Sequence, residues 1–409
     1  MGKNGVGAPN PAYREPDSPA GGAAGQIALS SAEAITYTFS LVNRAGDKAV
    51  AYFYGRLFAE NPELRALFPA AMDVQRDRLF HALTRIVHSL SRPEEMEPYL
   101  CQLGLDHRKY GVEAEHYPAV GRALLATLCK FAGDEWTPEA AAAWAGAYGL
   151  ATQLMTSAAE ESAQQSPAWW SAEVVGHELR TPTLAVLTMR PDHPFPYQAG
   201  QYVSIQSVRW HRVWRPFSVA NAPRPDGLLT FHVRAVPGGW VSSALVNHTK
   251  VGDRVNLGPP QGCMTLAAGS DGGLFCVAGG SGLAPIKALI EQAIADSAPG
   301  QRRRIRLLVG ACRRSDLYDL PDLWRLESYY PWLRITTAVS DDPDYSGMRG
   351  MLPDIVARQL PHKGDDVYIS GPSKMVHKTI RTLSAAGLRK WSIHADLADI
   401  PGELTSVAG

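Results

Sequence analysis

The chain is poor in cysteine. It has five in 409 residues, Cys101, Cys129, Cys263, Cys276 and Cys312, with no two at a metal-ligand or Cys-x-x-Cys spacing. An iron–sulfur ferredoxin domain needs four clustered thiolates, so none is expected. The scatter, partly inside apolar runs, suits cysteines used as small hydrophobes in a reducing cytoplasm. Charge excess is also missing, because 40 Lys and Arg balance 40 Asp and Glu. That argues against nucleic acid or an anionic membrane as partner. No run approaches the ~20 apolar residues of a membrane helix, so no integral membrane segment is expected. Residues 1–29 are rich in Gly, Ala and Pro and lack a signal peptide's apolar core, which predicts a disordered tail.

What is present changes period twice. From residue 30 to 161 the pattern is helical. Gln75, Leu79 and Leu83 fall on one face, and Val120, Leu124, Leu125 and Leu128 repeat the helical spacing. Two alanine runs, at 140–143 and 145–147, flank Trp144. Asn61-Pro62-Glu63 reads as a helix start, with an N-cap Asn and Pro at the first position. After a polar join at 162–171 the period becomes two. Val203 and Ile205 alternate with Tyr202, Ser204 and Gln206, and Leu229, Phe231 and Val233 alternate with Thr230, His232 and Arg234. Half-exposed antiparallel strands and a small barrel over 168–266 follow. Beyond 270 the apolar run 274–278 reads as a buried parallel strand followed by a helix. Further strands are expected at 305–309, 333–339, 367–369 and 391–394. The predicted fold class is thus multidomain: all-α, then an antiparallel β-barrel, then a doubly wound α/β domain over 270–400.

Two short strings carry chemistry. Gly280-Ser281-Gly282 lies between a strand and a helix start, where glycines let backbone approach a pyrophosphate at a helix N-terminus. The same string also serves as an ordinary structural turn. Arg215-Pro216-Phe217-Ser218 offers a bidentate cation and a hydroxyl to a diphosphate and a ring edge, or is a surface strand end. Gly238-Gly239-Trp240-Val241-Ser242-Ser243 adds a second anion-receptive turn. His177-Glu178-Leu179-Arg180-Thr181-Pro182 has the look of a histidine-kinase phosphoacceptor box, but the apolar residues after it suit a barrel strand better.

With Gly310, Asp316-Leu317-Tyr318, Gly371-Pro372 and Met375, these strings resemble the ferredoxin–NADP reductase superfamily from about Ala168 to Asp399. The resemblance implies FAD on Tyr202, Arg215, Phe217, Ser218, Gly238, Gly239, Val241 and Ser242. It implies NAD(P)H on Gly280, Gly282, Pro285, Ser370, Gly371 and Pro372. Arg313 and Arg314, where a second strand ends, lean the choice toward NADPH without settling it. The family usually has Tyr where Phe217 stands, Cys where Ser370 stands, and a C-terminal aromatic that residues 393–399 lack. Slow or differently gated hydride transfer is the implied consequence.

Upstream, Tyr54, Phe68, Gln75, Leu79, His107 and Tyr117 occur in an order that resembles the globin domain of flavohaemoglobins, from about Ala34 to Glu161. The globin–FAD–NAD(P) order is also theirs. The resemblance makes His107 the proximal ligand of haem b and Tyr117 its orienting neighbour. Tyr54 and Gln75 become distal donors to bound O2, Phe68 a haem-edge contact and Leu79 the pocket roof. The family completes the proximal network with a Glu at a position that falls on Ala159 here; a small register slip onto Glu160 or Glu161 restores it, and otherwise a weaker proximal push on iron is implied. The implied activity is nitric oxide dioxygenation: NAD(P)H reduces FAD, electrons pass singly to haem, and NO and O2 become nitrate. An NAD(P)H oxidase or reductase for other acceptors, and a gas-binding globin sensor, are the alternatives. A monomer is expected.

Overall fold

The computed structural model describes residues 29–268, 270, 272–297, 302–389 and 392–395. Residues 1–28 of the predicted tail and residues 396–399 lie outside them, and Leu29, placed in that tail, instead begins the first helix. The chain divides into two compact units. One holds the described residues up to Pro62, Leu79–Gly104 and Ala114–Ala158; the other holds Glu63–Arg78, Leu105–Glu113 and the rest.

Six α-helices carry the first part: α1 (Leu29–Ala45), α2 (Asp47–Glu60), α3 (Asp73–His88), α4 (Pro93–Arg108), α5 (Tyr117–Ala132) and α6 (Pro138–Gln165). A helix does start at Pro62, but it is 3-10, and Asn61 does not cap it. Its side chain donates to the Leu57 carbonyl and so closes α2, and Pro62–Leu67 that follows is a 3-10 turn. Trp144 anchors the helical unit, donating Nε1–H to Thr38 Oγ1 at 2.9 Å beside Phe39. Gly104 lets α4 meet α6, because a Cβ there would lie 2.2 Å from the Met155 carbonyl oxygen. The last helix runs to Gln165, so the join is shorter than its polar composition predicts: β-structure begins at Trp170.

The barrel is a six-stranded antiparallel sheet among the described residues, built from β1 (Trp170–Thr181), β2 (Leu184–Pro191), β3 (Tyr202–Ser207), β4 (Trp214–Ser218), β5 (Leu229–Arg234), α7 (Trp240–Asn247) as a cap, and β6 (Arg254–Gln261). The strand order is β4-β3-β6-β1-β2-β5, and a bridge from Val219 to Phe231 joins the two edges. His177 sits within β1, opposite Leu187, with Nε2 at 3.1 Å from the Leu245 carbonyl; the kinase box is a β-hairpin.

Next come β7 (Leu274–Gly279), α8 (Leu283–Ala295), β8 (Ile305–Ala311), α9 (Leu320–Tyr329), β9 (Leu333–Val339), β10 (Met348–Arg349), α10 (Leu352–Arg358), β11 (Asp366–Ser370), α11 (Ser373–Ala385) and β12 (Ile393–Ala395). They form a parallel sheet in the order β10-β9-β8-β7-β11-β12. The chain leaves β7 toward β8 and returns to the other side at β11, so the switch point of the topology lies where these strands end. Leu184, Ala199, Ala222 and Met264 of the barrel region share one apolar cluster with Leu274, Ile286, Leu289 and Tyr318.

That shared packing corrects the reading of the outward strand positions. Ser204, Gln206 and His232 are buried rather than half-exposed, because other parts of the same unit cover the polar face. Lys109 reaches Ser204 Oγ at 3.2 Å, Asn256 donates to Gln206, and Tyr318 meets His232. The cysteines are less uniformly interior than their neighbours suggest. Cys276 is buried, its thiol pushed up to about 12, whereas Cys129, Cys263 and Cys312 are exposed. No helix among the described residues is long and apolar enough to cross a membrane.

Candidate functional site

The nucleotide strings, 90 residues apart in sequence, come together where β7 and β11 end. Ala278 is in register with Ser370. A Cβ on Gly282 would lie 2.5 Å from Gly371 N and from the Ser370 carbonyl, so backbone touches backbone and glycine is obligatory. A Cβ on Gly279 would meet Met375 Cε at 2.8 Å. Gly280 takes φ +56° in a 3-10 turn that leads into α8, leaving N–H groups at the helix N-terminus. Pro285 is buried in the first turn of α8. Pro372 precedes α11 as its N-cap. Arg313 and Arg314 are exposed just beyond β8, and their backbone N–H groups donate to Asp316 and Asp342 at 3.1 Å.

Several residues missed in sequence reinforce this site. Arg234 brings Nη2 within 3.5 Å of the Cβ position of Gly280, placing a cation over the Gly-Ser-Gly turn. His232 Nδ1 meets Tyr318 Oη at 2.8 Å, and burial, helped by the charges of Lys287 and Arg180, lowers the imidazole to about 3. It is therefore neutral. Asp319, 1% exposed, accepts from Lys287 at 2.7 Å and faces Arg180 at 3.8 Å. The polar face of an alternating strand gives no sign of such partners, which are far apart in sequence.

On the flavin side, Tyr202 of β3 is in register with Ser218 of β4, and Ile205 with Arg215. Arg215 is half-buried and donates to the Trp214 carbonyl at 2.9 Å; among the described residues no carboxylate pairs with it. Burial, then the neighbouring Arg78 charge, pulls its pKa below the ordinary guanidinium value. A half-buried cation beside another cation favours an anion. Phe217 leans on the barrel core. Gly238 adopts φ +73° and Gly239 is the N-cap of α7, where a Cβ would strike Ser242 Oγ at 2.5 Å. Val241 packs in the core, and the Ser242 hydroxyl bonds Val236 N and the Gly239 carbonyl at 3.3 Å. Both support the turn, and Ser243 is the serine that lines the open cleft beside it.

The helical candidates lie on separate elements. Tyr54 of α2 is 4% exposed, its ring stacked on Phe58 at 5.8 Å. Leu79 on α3 is half-buried. Tyr117 begins α5, its carbonyl accepts from Tyr148 Oη at 2.6 Å, and burial pushes its own phenol up to about 12. These three belong to the helical unit. Phe68, Gln75 and His107 belong to the second unit; His107 lies in the last turn of α4, where its carbonyl accepts from Tyr110 and Val112. Ala159 is half-buried on α6, and Glu160 and Glu161 are exposed.

Three family models match in succession: Globin over residues 51–155, Oxidoreductase FAD-binding domain over 170–265 and Oxidoreductase NAD-binding domain over 276–381. The chain is similar to a Flavohemoprotein of Bordetella parapertussis, 27% identical over 403 residues, with 88% of this chain and 95% of that one covered. Its second half is similar to the ferredoxin–NAD(P)(+) reductase component of a Pseudomonas putida naphthalene 1,2-dioxygenase system, 32% identical over 231 residues, covering 56% of this chain and 68% of that one. Among solved structures, a flavohemoglobin from Malassezia yamatoensis with bound FAD and heme shares the fold with a TM-score of 0.74 at 19% identity, covering 90% and 99% of the two chains.

Proposed function

Since the chain belongs to the flavohaemoprotein family, a globin domain followed by FAD- and NAD-binding oxidoreductase domains, we propose that it is an NAD(P)H-dependent nitric oxide dioxygenase. The observation that carries the reading is the convergence of Gly279–Gly282 with Ser370–Pro372 in a chain whose globin segment keeps Tyr54, Gln75, His107 and Tyr117. Bound FAD turns the hydride pair of NAD(P)H into single electrons, and bound haem supplies an iron centre at which O2 and NO react.

Residues of the chain supply the donors that these groups need. Backbone at 280–282 packs directly on 370–371 because side chains are absent there, which leaves the N–H groups of the turn to a diphosphate, and Arg234 stands over the turn. Arg215 offers its unpaired charge to the flavin diphosphate. Exposed Arg313 and Arg314 favour a 2′-phosphate, hence NADPH. His107 would hold the haem iron through a ring nitrogen. Tyr117, held protonated by burial, acts as a donor or acceptor through a neutral phenol and not as a phenolate. With haem bound, Tyr54 and Gln75 would each offer a donor to a gas ligand, a charge-assisted bond of about 1.5–3 kcal/mol.

The test uses the full chain. Anaerobic NADPH should bleach the flavin and then shift the haem spectrum. In air, NO should be consumed only with NADPH, two NO and two O2 giving two nitrates, NADP+ and a proton for each NADPH. Purified protein without haem, or NADPH turnover indifferent to NO, overturns the reading. A second reading, electron delivery to another acceptor, draws on the higher identity of the second half to a dioxygenase reductase component. It predicts turnover that an added acceptor raises and NO does not.

A further inference from the structure

Three unusual features meet at one turn of the chain. Lys109 is a lysine only 7% exposed. Arg212, between β3 and β4, is the one non-glycine among the described residues with φ in the left-handed region, at +63°. Arg212 Nε and Trp214 Nε1 are buried and have no hydrogen-bond partner among the described residues. A buried cation, a strained backbone and orphaned donors each lower stability, and such features gather where something other than stability is served. All three lie against residues 106–111, which belong to the same compact unit as the barrel. His107 is in the middle of that stretch.

We infer that Lys109, Asp106 and Arg212 are positioning residues for His107: they fasten the turn that carries it to the strands assigned to the flavin, and so set where its ring stands. The inference rests on the reading of His107 as haem ligand and extends it to its neighbours. Asp106 accepts from Lys109 Nζ at 2.8 Å and from Gln261 of β6. Lys109 Nζ reaches on to Ser204 Oγ of β3 at 3.2 Å, and its stem passes Gly258 of β6. Arg212 donates to the Tyr110 carbonyl, and the Tyr110 ring meets Trp214 of β4 edge-on, with centroids 6.5 Å apart. On the other side Arg108 donates to the Ser162 hydroxyl and the Ser166 carbonyl. Four neighbours of His107, at 106, 108, 109 and 110, are thus each held from outside α4. His107 needs that help, because it lies in the last turn of α4 and helix ends fray. A metal ligand has to be held to within about 0.5 Å. Ser204 is two residues from Tyr202 and Trp214 adjoins Arg215, so the anchor points share strands with the flavin candidates.

The experiment uses the full chain with haem and FAD bound. Lys109→Met keeps the apolar stem and removes the ammonium. Arg212→Gly suits the left-handed turn and removes the grip on the Tyr110 carbonyl. In each, the iron–histidine stretching band of the ferrous protein, read by resonance Raman, should shift or broaden. Haem transfer to an excess of a scavenging apoglobin should quicken about 10- to 100-fold, the worth of one hydrogen bond to a charged group. Flavin reduction by NADPH should stay within about twofold of wild type, because the Gly282 turn is not touched. The double variant Asp106→Leu/Lys109→Met leaves no partner charge unpaired, so its melting temperature should return toward wild type while haem transfer stays fast. A wild-type band and wild-type haem transfer in both single variants overturn the positioning role. So does a double variant in which the band recovers together with stability, since that is the mark of a merely structural pair. Arg212→Gly gives the answer even if Lys109→Met fails to fold. A wild type without an iron–histidine band overturns instead the ligand reading beneath.

Discussion

The switch point of the parallel sheet and the globin helices encode chemistry in opposite ways. At the switch point the backbone does the work. Gly279, Gly282 and Gly371 are glycine because another stretch of chain occupies the space where a side chain would project. In the helices close backbone contact, as at Gly104, serves packing, and under the proposed function single side chains, Tyr54, Tyr117 and His107, carry the chemistry. A backbone site therefore fails by steric exclusion when one methyl is added, and a side-chain site fails by loss of one functional group while the fold stands.

Substitutions can break that contrast. The largest effect is expected at His107→Ala, which should give a folded, FAD-containing protein with no Soret band by absorption; haem retained with unchanged axial ligation would remove His107 from its role. Next is Gly282→Ala. A methyl 2.5 Å from the Ser370–Gly371 backbone should cost about 3 kcal/mol, or roughly a hundredfold in NAD(P)H affinity, read by stopped-flow flavin reduction. Gly146→Ala is the matched control, on a helix with nothing within 4 Å, and should be neutral or slightly stabilising. If both alanines behave alike, the backbone account is wrong.

The smallest effect concerns His232. Its imidazole stays neutral down to about pH 3 when folded, whereas the unfolded chain takes up the proton near 6.5. Between those values the unfolded state binds more protons, so stability falls as pH falls, by about 1.4 kcal/mol per unit, and the penalty vanishes above 6.5. Urea unfolding at pH 6.5 and 5 should show wild type losing about 2 kcal/mol more than His232→Asn. Equal losses would mean that His232 is not held neutral by the fold.

The order of domains, the period changes and the two glycine strings were legible because each is local. A buried parallel strand announces itself as an apolar run, and Gly280-Ser281-Gly282 follows it directly. Arg234, His232, Asp319 and the anchors around His107 were not legible. An alternating strand marks its polar positions as outward, and outward means solvent unless another part of the molecule lies there; only the folded arrangement shows Tyr318 over His232. Asn61 misled for a related reason. Its amide can cap the helix behind it as readily as the one ahead, and the local string does not say which carbonyl or N–H is within reach.

The apolar cluster that runs from Leu184, Ala199 and Ala222 into Ile286 and Leu289 has a consequence for descent. A gene encoding only the barrel, or only the parallel sheet, would express a protein with a raw greasy wound. The two are therefore expected to fold, and to be exchanged between proteins, as a pair.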